Sequence, residues 1–136
     1  MVWDKIKKML GGEKKQYGTP YIVKANLHPI RIKSKSNDSV ILEVYIKNVT
    51  NDDQLTSVKL VTTKWLGVDP TTLKKEQTLK LGNLSPGEDK TVEFKIHSNS
   101  GTPQGSHKLG LVVCSHFKDY EQSLNKVKKI IELRAA

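Results

Sequence analysis

The chain is short of several things that enzymes, secreted domains and nucleic-acid binders rely on. Cys114 is its sole cysteine, so no disulfide can close within it, and a reducing compartment is the expected setting. Aromatic residues make up 6% of the chain and none cluster on one predicted strand face, which removes the stacked rings that hold single-stranded nucleic acid. No Gly-rich loop opens a helix, so nucleotide binding of the usual kinds is not expected. Ser106 and Ser115 each precede a histidine, His107 and His116, but neither has a G-x-S-x-G context and neighbouring strand residues point apart. No enzyme is read from these residues. Long apolar runs are missing too. The longest, residues 110–114, falls far short of the ~20 residues that cross a membrane. The basic N-terminus is followed by no apolar stretch of signal-peptide type, and a cytoplasmic location is expected. Acidic residues are scarce: 14 stand against 23 Lys and Arg, for a net charge of +9. That excess favours anionic partners such as membrane head groups or nucleic acid, although lysine on sheet faces and edges also serves solubility.

What is present is alternation. In residues 38–48, Val40, Leu42, Val44 and Ile46 fall two apart and point to one side of an extended chain. Their neighbours Ile41 and Tyr45 are apolar on the side that should be solvated, so a second covering layer over this strand is expected. Further strands are predicted at residues 21–27, 30–33, 55–63, 73–81, 91–97 and 108–117. The last of these is apolar on both sides and is expected to be central and covered. Residues 83–89 carry Pro86 and Gly87 side by side, as a type II turn prefers. Residues 64–72 read as a loop crossing between layers, with Trp65 packing over one end of the core. Residues 119–134 fit either period: Tyr120, Leu124, Val127 and Ile131 match a helix, whereas Val127, Ile131 and Leu133 match a strand. A hairpin with residues 126–134 as its second strand is preferred, because the apolar strand before it needs a sequential neighbour. Seven or eight short strands separated by turn signals predict an all-β, immunoglobulin-like sandwich over residues 21–136.

Residues 1–11 differ in character. Val2, Trp3, Ile6, Met9 and Leu10 recur at helical spacing within an arc of about 120°, and Lys5, Lys7 and Lys8 lie beside or opposite them. Gly11 and Gly12 stop the helix, and residues 12–20 read as a linker. An amphipathic helix with Trp3 and lysines beside its apolar face suits an in-plane membrane contact. It equally suits docking on its own domain or on a partner subunit.

Residues 42–50 (L-E-V-Y-I-K-N-V-T), 81–96 (L-G-N-L-S-P-G-E-D-K-T-V-E-F-K-I) and 102–113 (T-P-Q-G-S-H-K-L-G-L-V-V) together resemble the CARDB/NEW3-like immunoglobulin-like domains. The resemblance implies the sandwich fold and a role in adhesion, spacing or interaction. No cofactor is expected. Metal chemistry is not expected. His116 and Cys114 share a strand face but lack further ligands at zinc spacing, and Asn48, Asp52 and Asp53 lack the spacing of a calcium loop. The expected function is a non-catalytic protein-interaction module, a peripheral membrane adaptor through Val2, Trp3, Lys5, Ile6, Lys7, Lys8, Met9 and Leu10. The alternatives are nucleic-acid binding through the basic surface, or homo-oligomeric assembly through the helix.

Overall fold

Strict alternation makes β3 (Ser39–Asn48) the centre of a three-stranded sheet, with Val40, Leu42, Val44 and Ile46 at most 1% exposed. β1 (Tyr21–His28) and β6 (Asp89–His97) flank it antiparallel. Their register sets Leu27, Leu42 and Phe94 in one inward row and Ala25, Val44 and Val92 in the next. The second sheet has five strands in the order β2 (Arg31–Ile32), β8 (Ser123–Ala135), β7 (Gly105–His116), β4 (Gln54–Val61), β5 (Glu76–Leu84). All its pairings are antiparallel except β2 with β8. Its inward set, Val58, Leu60, Leu109, Leu111, Val113 and Leu133, is fully buried. Each such side chain contributes roughly 1.5–3 kcal/mol of transfer free energy before conformational entropy is subtracted. This is a computed structural model, which describes residues 20–116 and 123–136.

The all-β, immunoglobulin-like sandwich expected from the alternation is what these residues form, with eight strands among them. The predicted helix of residues 1–11, most of the linker and residues 117–122 lie outside the described residues. The turn at residues 85–88 has Pro86 second and Gly87 third with φ +80°, and Glu88 N–H donates to Ser85 O at 2.9 Å, which is type II geometry.

Two expectations are corrected. Trp65 does not close the end of the core: it is 39% exposed, and the fully buried Leu66 beside it takes that place. The strand predicted at residues 73–81 runs from Glu76 to Leu84, because residues 73–75 belong to the crossing loop and Leu73 is 81% exposed. Ile41 and Tyr45 are half-buried, and Tyr45 Oη donates to the Asp89 carboxylate at 2.9 Å; the layer expected over them, the helix of residues 1–11 or a partner, lies outside the described residues. The outward side of β7 is likewise only half-buried at Gly110, Val112 and Cys114.

Candidate interaction surfaces

The register of β4 on β7 places Ser57 opposite Cys114, and the two-residue period puts His116 on the same outward side. Ser57 Oγ and His116 Nε2 are 2.7 Å apart. Both residues are closed to solvent, at 6% and 7% exposure, so the pair ties β4 to β7 and presents no nucleophile to a substrate. Cys114 is half-buried beside them. Burial pushes its thiol above the ordinary value, against the opposing pull of Lys126, Lys59 and Lys128.

Those three lysines show how this sheet is charged. The registers place Lys59, Lys80, Lys108, Lys126 and Lys128, with Arg31 and Arg134, on the outward face of the five-stranded sheet. Only Glu76 and Glu132 share that face among its strand residues, and they pair with Lys59 at 3.1 Å and Lys108 at 3.8 Å. No Trp, Tyr or Phe stands on it among the described residues. The outward face of the three-stranded sheet is balanced: Lys24, Lys47 and Lys95 stand with Glu43, Asp89 and Glu93. The basic excess of the strands therefore belongs to one face.

The two ends of the sandwich differ as well. At one end Asn48, fully buried, donates from Nδ2 to Asp52 O at 2.8 Å and to Leu84 O at 2.9 Å. Its Oδ1 accepts from Thr50 N at 2.9 Å and Thr50 Oγ1 at 2.7 Å, so the amide holds the turn after β3 and offers no ligand atom to a cation. At the other end the loops of residues 29–38, 62–75 and 98–104 are tied together. Lys75 Nζ donates to the carbonyls of Lys64, Leu66 and Thr72 at 3.0, 2.7 and 2.6 Å. Thr102 Oγ1 donates to Trp65 O at 2.7 Å, Asn99 Nδ2 to Thr72 Oγ1 at 2.6 Å, and Lys35 N to Thr102 O at 2.8 Å. A Cβ on Gly67 would lie 2.4 Å from Thr72 Cα, so only glycine allows this approach.

The residues predicted to touch a membrane or partner, Val2, Trp3, Lys5, Ile6, Lys7, Lys8, Met9 and Leu10, lie outside the described residues. The histidines are not brought together: His28 lies 3.9 Å from the Glu43 carboxylate, His107 Nε2 is 2.9 Å from Pro103 O, and burial together with Lys95 lowers the pKa of His97. No group of three His, Cys, Asp or Glu that could hold a metal ion occurs among the described residues. Sequence reasoning missed Ser57 and Lys75. The partners of both are set by tertiary register, and a lysine at the margin of a predicted strand carries no local signal of three carbonyl contacts.

No protein-family model matches the sequence. No curated protein matches it. By structure it is similar to E. coli alpha-2-macroglobulin from domain MG7 to the C-terminus (TM-score 0.62, 17% identity, 88% of this chain), spanning only 17% of that chain. It is similar to the CARDB domain of the PF1109 protein from Pyrococcus furiosus, a structure in complex with di-metal ions (TM-score 0.51, 19% identity), over 91% of this chain and 97% of that one. A chain from the complex of zinc 2-glycoprotein and prolactin inducible protein of human seminal plasma is also similar (TM-score 0.54, 16% identity), over 89% of this chain and all of that one. The two sheets, the eight-strand order and these likenesses agree: the chain has the fold of the CARDB-like immunoglobulin-like domains.

Proposed function

We propose that the protein is a non-catalytic interaction module, a peripheral adaptor at the cytoplasmic face of a membrane, whose docking face is the outward side of the five-stranded sheet. The observation that carries this is the segregation of charge: seven cationic side chains against two acidic on that face, and three of each sign on the opposite one. A face of one sign steers and registers a partner of the other, and here the fitting partner is an acidic protein surface. The lack of aromatic rings on the face weighs against single-stranded nucleic acid, whose bases need stacking platforms. The amphipathic spacing of residues 1–11 supplies the membrane half of the reading.

The docking face is tested by titrating the full chain with polyglutamate and with duplex DNA at low and moderate salt. Lys59→Glu with Lys126→Glu and Lys128→Glu is expected to lower polyglutamate affinity by roughly tenfold or more, each lost contact costing about 0.5 kcal/mol at low salt. Lys24→Glu with Lys47→Glu and Lys95→Glu removes the same charge from the balanced face and should change it little. Equal losses from both sets would mean that only net charge matters, and the assigned face would be wrong. Tighter binding to duplex DNA than to polyglutamate, lost in the first set, would favour a nucleic-acid module. Co-sedimentation with anionic vesicles, comparing the full chain with a chain beginning at Gly18, tests the membrane half. Equal sedimentation removes residues 1–11 from it.

A further inference from the structure

We infer that the loop end of the sandwich is a membrane contact in its own right, seating Ile30, Trp65 and Leu73 in the interfacial layer of an anionic bilayer. The inference rests on the membrane setting of the proposed function, and its own support is independent of residues 1–11. Among the described residues five large hydrophobic side chains stand exposed, and three of them are here: Ile30 at 72%, Trp65 at 39% and Leu73 at 81%. They share one end because the strands bring them there. β1 finishes at His28 before residues 29–38, β4 and β5 are joined by residues 62–75, and Gly67 bridges to His97 at the end of β6.

Charge around them has one sign. Lys33, Lys35, Lys64 and Lys74 are exposed on the same two loops. The two acids on those loops are turned to the backbone instead. Asp38 Oδ2 accepts from Lys33 N at 2.9 Å, and Asp69 Oδ1 accepts from Lys74 N at 3.1 Å. The Thr71 hydroxyl, donating to Asp69 Oδ2 at 2.5 Å, and that backbone N–H hold the Asp69 carboxyl below its usual range. Exposed apolar tips with cations on the same loops match a surface that offers negative charge continuously above an apolar layer, which an anionic bilayer does. Indole rings favour that boundary, and the Lys64 ammonium lies 4.9 Å from the centre of the Trp65 ring, ready to meet phosphate beside it. The loops are also held before any contact is made, by Lys75, Thr102 and Asn99, so little chain ordering remains to oppose docking.

The sequence has two tryptophans, so Trp3→Phe in the full chain leaves Trp65 as the only indole emitter. Mixed with phosphatidylcholine vesicles containing phosphatidylserine, this variant should show a blue-shifted emission that bromine on the lipid acyl chains quenches. Pure phosphatidylcholine should give neither effect. Adding Ile30→Ser and Leu73→Ser, both at exposed positions, should lower partitioning roughly tenfold, since each removes apolar area from the interface. Sedimentation with vesicles while Trp65 emission stays unchanged would overturn the inference and leave the contact through residues 1–11 standing. Absence of sedimentation would overturn both, and equal partitioning of the double-serine variant would overturn the contact of this end alone. A Trp65 shift with polyglutamate but not with vesicles would assign the loop end to a protein.

Discussion

Asn48 shows how one side chain can fix a turn. It fills all four of its hydrogen-bonding positions with Asp52 O, Leu84 O and the N–H and hydroxyl of Thr50, while fully buried. Asn48→Ala leaves two carbonyls and two donors without these partners and should cost roughly 2–3 kcal/mol in urea unfolding. Asn48→Asp keeps the shape but turns two donated bonds into carboxylate–carbonyl repulsion. Its folded-state pKa is then raised above the unfolded ~3.9, so stability is present below that value and lost as pH rises through the folded pKa. The Asp variant's deficit against wild type should therefore widen from pH 4 to pH 7, whereas the Ala deficit stays flat. A flat Asp deficit would mean that Asn48 serves only by filling space.

At the level of elements, Lys75 does for the crossing loop what Asn48 does for the turn, with charge added. Its three carbonyl contacts at 2.6–3.0 Å use all three ammonium protons and draw residues 64, 66 and 72 around one point. Lys75→Met, which keeps the stem, should destabilise by about 2 kcal/mol. It should also raise hydrogen exchange at Val68 N–H and Thr62 N–H, which bond Lys74 O and Lys75 O. Unchanged exchange there would mean that Thr102 and Asn99 hold the loop unaided. This loop is also where sequence and structure part. β3 was legible because Val40, Leu42, Val44 and Ile46 give a period of two without interruption, and the hairpin of β7 and β8 because an apolar strand needs a neighbour. Residues 73–75 read equally well as strand, since nothing local tells that Lys75 is drawn to three carbonyls. Trp65 was expected over one end of the core, and Leu66 fills that place because the chain direction there is set by contacts to residues 97 and 102. The Ser57–His116 contact spans 59 residues and depends on a register that no local pattern encodes.

Over the whole molecule the net charge of +9 was legible, but not its placement, which depends on which strands share a sheet. Placement has a thermodynamic consequence. Lys59 and Lys128 flank Val112 from β4 and β8, and Lys126 stands two residues from Lys128 on the same face, so like charges are gathered around β7 and their repulsion costs a few tenths of a kcal/mol at low salt. A surface shaped only for stability would interleave signs, as the outward face of the three-stranded sheet does. Reversing one charge should then relieve the repulsion: Lys126→Glu is expected to stabilise the protein by roughly 0.5 kcal/mol in urea unfolding at low ionic strength. The gain should shrink towards zero in ~1 M salt, where the Debye length falls to about 3 Å. Lys24→Glu on the balanced face adds an acid where the signs already match and should give no such gain. If Lys126→Glu is neutral or destabilising at low salt, the lysines are held too far apart to repel, and the face loses its claim to being a concentrated charge kept at a cost in stability for the sake of a partner.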